Sequence, residues 1–413
     1  MTSKLFTPFR IGPCEMRNRT IRAAAFENMC IQNAPSPALF DYHVSVARGG
    51  IGMTTVAYAS INRSGLSFAG QLWMRPEIVP QLKELTDAIH AEGAKASIQL
   101  GHCGNMTHRS TAGQMPVGAS GGFNLYSPTF VRGLRIEEIN AFVQDFAQAA
   151  ILAKEAGFDC IELHAGHGYL ISQFLSPYTN KRKDDYGGPL ENRMRFMTRV
   201  VQAVKEAVGD SLGIIVKTNM NDGFKGGLDR EACLEVARCL ESLGVDALVL
   251  TAGFVSRAPM QVMHGAMPHT TLAYYMDMKS LWWLKIGIRC FGKLIIPEVP
   301  YTEGYFLEEA KIFRQALKLP LIYVGGLVSR KKIDEALEAG FEAVQMARCL
   351  IHDTNFVNKL MHGDEHTTSG CKHSNYCIAR MYSKEMKCHC QVDDLPPKIV
   401  KEIQKLEKRW EPA

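Results

Sequence analysis

Uninterrupted apolar runs are missing from this chain of 413 residues. Its least polar stretch, Met263 to Pro300, is broken by Lys279, Lys285, Arg289 and Lys293, so no span of about 18–20 apolar residues exists and membrane insertion is not expected. The start, MTSKLFTPFRIG, lacks the apolar core of a secretory signal. Charge of one sign is also scarce. Against 42 acidic residues stand 47 basic ones, a net charge of +5, and the basic residues are scattered, so nucleic acid is not an expected partner. No internal repeat or low-complexity run stands out, which sets aside a repeat architecture. Composition is otherwise that of a globular protein with a core, 46% hydrophobic and 22% charged. Twelve cysteines without a signal read as mostly free thiols in a reducing compartment, with the cytoplasm as the default.

Eight short apolar runs alternate with helical patterns. The strands are expected at Arg19–Ala25, Ile51–Ala57, Lys95–Leu100, Asp159–Leu163, Gly213–Thr218, Ala247–Thr251, Leu321–Val324 and Ala343–Met346. Amphipathic stretches at Pro76–Glu92, Ile136–Ala156, Glu191–Val208, Arg230–Leu243 and Arg330–Ala339 lie between them, and Gly93, Gly157, Gly244 and Gly340 stand where helix C-caps belong. Strict alternation with a count of eight points to an α/β fold, a (β/α)8 TIM barrel, over an open doubly wound sheet. In such a barrel, functional residues sit at or just past the strand ends, and Gln99, His164, Lys217, Gly325, Gly326 and Arg348 all do. The barrel is expected over residues 1–361, with an insertion at 254–303 between strands six and seven and a cysteine-containing tail at 362–413. Carrying Trp282, Trp283 and Phe291, the insertion is expected to bury a small hydrophobic face of its own; a substrate lid and a contact in a homo-oligomer are both open to it.

The densest chemistry lies between Phe158 and Arg193. A buried strand there ends in His164, His167 and Tyr169, and a long polar loop then closes with Tyr186-Gly187-Gly188-Pro189 before a helix. Imidazoles and a phenol leaving one strand end can supply oxyanion donors and a general acid. Metal binding by the two histidines is the rival reading, and it would need a further ligand such as His102.

The run HAGHGYLISQFLSPYTNKRKDDYGGPLENR resembles the strand-four motif of the old yellow enzyme family of flavin-dependent ene-reductases. The likeness continues in Leu5, Asn18 and Arg19, in Gln99-Leu100-Gly101-His102, in Tyr323-Val324-Gly325-Gly326 and in Ala347-Arg348, over roughly residues 3–360. It implies a flavin mononucleotide (FMN) across the barrel mouth, reduced by NADH or NADPH. By that resemblance Ala24, Ala25, Phe26 and Ala57 form an apolar bed, and Gln99 meets the pyrimidine edge of the ring. Lys217, where many relatives have arginine, supplies positive charge; Gly325, Gly326, Ala347 and Arg348 take the phosphate. The small-molecule substrate is an activated alkene whose carbonyl oxygen His164 and His167 hold, while hydride comes from flavin N5 and Tyr169 donates a proton to the α-carbon.

Two departures matter. Phe26 stands where many relatives place a threonine or cysteine that tunes the flavin. In the tail, Cys371, Cys377 and Cys388 match three positions of a four-cysteine motif that binds a [4Fe–4S] cluster in larger relatives of the dienoyl-CoA reductase branch, but Ser374 replaces the fourth ligand. Cys390, His373 or His389 could complete an altered site, for iron–sulfur or for zinc. The alternatives to a simple ene-reductase are thus an iron–sulfur flavoenzyme for a larger enoyl or polycyclic substrate, and a non-catalytic flavin scaffold.

Overall fold

All eight strands form, and they close on themselves. The computed structural model describes residues 3–125, 127–276 and 282–409, without the side chains of Trp283 and Leu284. Its strands are β1 (Thr20–Arg22), β2 (Met53–Ser60), β3 (Lys95–Gly101), β4 (Cys160–Ala165), β5 (Gly213–Asn219), β6 (Ala247–Thr251), β7 (Leu321–Val324) and β8 (Ala343–Met346). Each pairs in parallel with the next, and β8 returns to β1. Helices α1 (Pro37–Arg48), α2 (Val79–Ala91), α3 (Ile136–Glu155), α4 (Leu190–Val208), α5 (Arg230–Ser242), α6 (Leu307–Ala316), α7 (Arg330–Glu338) and α8 (Phe356–His362) follow the strands in turn. The (β/α)8 barrel is therefore observed as expected.

The strands are buried on both faces, β2, β4, β5 and β6 along their whole length, which is why they read as continuous apolar runs and not as alternating ones. Ile21, Met53, Cys160, Ile215, Val249 and Ile322 fill the barrel, and Ile11, Cys14 and Met16 of an N-terminal hairpin join them at the end where the strands begin. That plug leaves the opposite rim for chemistry. Gly93, Gly157, Gly244 and Gly340 all take positive φ, the conformation a helix C-cap needs. Helices α1, α6 and α8 are not among the stretches read from the sequence. The Ser36-Pro37 pair was the signal for α1: the Ser36 hydroxyl caps it by accepting from the Leu39 amide.

The described residues of the insertion fold as three helices, Pro259–Met263, His269–Tyr275 and Trp282–Ile295. Met260, Met267, Leu272 and Ile288 pack there with Ala379 of the tail, so insertion and tail share one apolar cluster. The insertion thus buries a small face, but Trp282, 65% exposed, and Phe291, 60% exposed, do not form it, and the side chain of Trp283 lies outside the described residues. Ile288 and Gly292, four residues apart, take the inner face of that helix, and Gly292 lies so close to His269 that no Cβ would fit. The helix thus turns Trp282 and Phe291 outward. The tail wraps the rim: the Ser369 amide donates to the Val328 carbonyl, the Met386 amide to the Glu27 carbonyl, and the Glu402 carboxylate accepts from the Thr270 and Thr271 amides. Among the described residues no helix is long and apolar enough to cross a membrane.

Candidate active site

Glu162 organises the floor of the open rim. It lies mid-way along β4 and is fully buried. Its carboxylate accepts from the Gln99 amide at 2.6 Å and the Gln345 amide at 2.7 Å, and pairs with the Lys217 ammonium at 2.8 Å. A buried carboxylate needs such donors, and three barrel strands supply them. Sequence reading named Gln99 and Lys217 but missed Glu162; its signal was a charged residue inside an otherwise apolar strand.

A second buried pair shapes the ledge after β1. Arg22 meets Glu27 at 2.6 Å and also donates to the carbonyls of Thr55 and Ala25. The Glu27 carboxylate accepts from the Ala57 amide. This clamp takes residues 24–26 out of the sheet, so β1 is shorter than the run Arg19–Ala25 read from the sequence. It also holds Ala24 against Ala57, in one apolar cluster with Tyr58, Cys103, Met106 and Tyr169.

Above this ledge stand the three residues of the β4 motif. The His164 and Tyr169 ring centres are 4.5 Å apart, and those of His164 and His167 are 5.2 Å apart. His167 sits at φ 59°, its amide donating to Asn219 Oδ1 and its Nε2 lying 2.8 Å from the Thr251 hydroxyl. The left-handed backbone sets that ring across the strand end, a strain tolerated where the surroundings fix it. His164 Nδ1 accepts from the Gly166 amide at 3.4 Å. Burial, reinforced by His167 and Lys217, holds the His164 imidazole well below its ordinary range. Burial and then Lys217 bring His167 down to about 3. Tyr169 is shifted up, chiefly by burial and further by Cys103 and Tyr382. At neutral pH the site therefore offers two uncharged imidazoles and an intact phenol. Phe26 stacks on Phe68 with centres 5.0 Å apart, and Tyr382 from the tail meets Phe68 edge-on at 5.6 Å, so the tail walls the pocket.

His102 does not join His164 and His167. Its Nε2 lies 3.0 Å from the Ser64 hydroxyl and its Nδ1 accepts from the Gly104 amide, so both ring nitrogens are engaged elsewhere and the three-histidine metal reading loses its third ligand.

At the far side, Gly325 and Gly326 follow β7 with φ 152° and 69°. Arg348 follows β8. It donates to Asn375 Oδ1 of the tail and to the Met263 carbonyl of the insertion, each at 2.7 Å, over the ring of Tyr301. The Tyr301 hydroxyl donates to the Gly326 carbonyl, so the glycine pair and Arg348 share one support. The donor set fits FMN: a buried amide and ammonium at the barrel mouth, small apolar residues beside them, and glycines with an arginine where a phosphate would lie. Cys371, Cys377 and Cys388 line a small cavity with Ser374 and His352 that adjoins this end of the rim, since Arg348 and Asn375 line it too.

These features define a class, a (β/α)8 barrel whose open rim gathers a buried amide and ammonium, small apolar residues and two uncharged imidazoles, as a flavoenzyme would need. The chain belongs to the NADH:flavin oxidoreductase / NADH oxidase family, whose family model matches residues 4–280. It is an NAD(P)H-dependent flavin oxidoreductase, and FMN is the family's cofactor. It is 39% identical to 4,4'-dithiodibutanoate disulfide reductase of Rhodococcus erythropolis over 92% of this chain and 94% of that protein. It is 30% identical to NADH oxidase of Thermoanaerobacter brockii over 94% of this chain, which spans 56% of that longer relative. Among solved structures, 2-naphthoyl-CoA reductase in complex with 2-naphthoyl-CoA superposes with a TM-score of 0.79 at 25% identity, covering 97% of this chain and 58% of that one. Morphinone reductase in complex with tetrahydroNAD superposes with a TM-score of 0.67 at 26% identity, covering 86% and 90%.

Proposed function

We propose that this chain is an ene-reductase, reducing the activated carbon–carbon double bond of a small α,β-unsaturated carbonyl compound. The observation that carries the reading is the joint placement of neutral His164 and His167 beside an un-ionised Tyr169. FMN, when bound, supplies hydride drawn from NADH or NADPH.

The protein's own groups do the rest. With the Gly166 amide donating to His164 Nδ1, the imidazole proton sits on Nε2. His167 Nε2 lies 2.8 Å from the Thr251 hydroxyl, and in the tautomer where that hydroxyl donates, the ring's proton sits on Nδ1. Two neutral N–H donors can then hold a carbonyl oxygen, and their bonds tighten as negative charge develops there. Neutral donors suit this task better than imidazolium, which would hold the charged product too. Tyr169 delivers the proton to the α-carbon, and burial keeps its phenol protonated until that moment. Gln99, Lys217, Ala24, Ala25, Phe26 and Ala57 would hold the flavin ring, and Gly325, Gly326, Ala347 and Arg348 its phosphate.

A disulfide substrate is the second reading, favoured by the near full-length likeness to a disulfide reductase. The same phenol would then protonate a departing thiolate. Anaerobic stopped-flow separates the two: the NAD(P)H-reduced enzyme is mixed with 2-cyclohexenone or with 4,4'-dithiodibutanoate. Faster flavin reoxidation by the enone supports the ene-reductase; reoxidation by the disulfide alone overturns it.

A further inference from the structure

We propose that His352, Cys388 and Cys390 form a binding site for a single thiophilic divalent cation, zinc before others, where the tail meets the barrel. His352 ends the short helix Arg348–His352 after β8, and Cys388 caps the turn His389–Gln391. His352 Nδ1 lies 3.4 Å from the Cys388 sulfur and 3.6 Å from the Cys390 sulfur, and all three donor atoms fall within 4.8 Å of one another. A tetrahedral zinc with bonds of about 2.0–2.1 Å to nitrogen and 2.3 Å to sulfur sets nitrogen and sulfur about 3.6 Å apart. Both nitrogen–sulfur distances already match an edge of that tetrahedron. Among the described residues, this is the one grouping of three such side chains.

The surroundings hold the donors in place. Gln391 accepts from the Cys388 amide at 2.9 Å through its oxygen, and donates to the Ile351 carbonyl at 3.0 Å through its nitrogen. One side chain thus fastens the cysteine turn to the residue before His352. Gly370 makes room for the imidazole, since a Cβ there would come within 2.5 Å of His352 Nε2. Orientation of the ligands by neighbours of this kind is what a metal site needs.

This set competes with the arrangement that the cysteine spacing alone suggests. Cys371, Cys377 and Cys388 line a cavity of about 20 Å³ in which Ser374 stands among them. That volume admits about one water-sized atom. With the side chains as they stand, that space is smaller than a four-iron cube needs, and Ser374 removes one of the four thiolates. One ion on Cys388 and the two residues facing it fits. Nitrogen and sulfur donors in this geometry select zinc over magnesium or calcium. On binding, the two thiols become thiolates and two protons are released, with no change of oxidation state. Cys390 is exposed, so water can fill the fourth position. The ion would fasten the tail to the helix that begins with Arg348.

The test uses untagged holoenzyme purified without chelator, analysed for zinc, iron and acid-labile sulfide. Chelator-treated protein is then titrated with Co2+, whose ligand-field bands lie to the red of the flavin. One equivalent of zinc is expected, with cobalt bands that persist in Cys371→Ser and Cys377→Ser and vanish in Cys390→Ser and His352→Ala. Cys390 is exposed, so its variant should fold, and an unchanged flavin content checks that. Iron with sulfide that depends on Cys371 and Cys377 overturns the proposal. So do cobalt bands that survive loss of Cys390 and His352, and so does wild-type protein that takes up neither metal.

Discussion

Lys217 and Glu162 meet at 2.8 Å inside the barrel mouth, with side chains only 4% and 0% exposed. The lysine proposed to serve the flavin is therefore also the counter-charge of a buried carboxylate. Removing one partner of such a pair strands the other, at a cost of about 3–5 kcal/mol. Lys217→Met and Glu162→Gln should each lower the stability of the flavin-free protein by that order in urea unfolding. The double variant should recover most of it, because no unpaired charge remains. Flavin reduction by NAD(P)H should be slow in Lys217→Met and stay slow in the double variant, since the second change relieves the unpaired carboxylate without restoring the cation proposed to serve the cofactor.

Tyr169 belongs to only one of the two half-reactions. Tyr169→Phe keeps the ring that packs on Ala24, Ala57 and Tyr58 and removes the proton. Reduction of the flavin by NAD(P)H should change little. Turnover of an enone should slow by about 10²–10⁴, the usual contribution of a positioned general acid. Stopped-flow on each half-reaction reads this directly, and equal losses in both would remove Tyr169 from the proton-donor role.

The buried histidines give the pH dependence a definite sign. His167 titrates at about 3 in the fold against 6.5 when unperturbed, and His164 moves the same way. Between those limits the unfolded chain binds protons that the native protein refuses, so stability falls as pH drops from about 6.5 toward 3 and is insensitive to these groups above 6.5. Urea midpoints across that window should show the loss, and His167→Asn should reduce it. The rate of enone reduction should show no histidine step between pH 5 and 8, because both imidazoles are neutral throughout.

The barrel was legible because its signals are local. Each strand is a continuous apolar run, and Gly93, Gly157, Gly244 and Gly340 mark helix ends by a backbone conformation few other residues take. The rim residues could be read as well, since the last residues of a strand and those just past it stand at the rim; Gln99, His164 and Lys217 lie among the last residues of β3, β4 and β5. What could not be read are partnerships across the barrel. Glu162 draws on β3, β5 and β8, and nothing near it in sequence names Gln99, Lys217 or Gln345. The same holds for His352, which lies 36 residues from Cys388 and meets it only once the tail has folded back. Trp282 and Phe291 were misplaced for the converse reason: aromatic content suggests burial, but helical phase decides which residues face inward, and Ile288 with Gly292 set that phase.

Gly326 tests the phosphate end. Its φ of 69° suits glycine, and an added Cβ would lie 2.6 Å from the Tyr305 ring and 3.0 Å from that of Tyr301. Gly326→Ala therefore strains the turn by about 1–2 kcal/mol and pushes on the ring that lies beneath Arg348. Because Arg348 and the glycine pair share Tyr301, the phosphate site should suffer before the ring site does. FMN affinity of the flavin-free protein should fall about tenfold, the equivalent of roughly 1.4 kcal/mol. Riboflavin, which lacks the phosphate, should bind the variant nearly as well as it binds the parent, and fluorescence titration compares the two. An equal loss for both flavins would mean that the turn supports the barrel mouth as a whole and has no special part in holding phosphate.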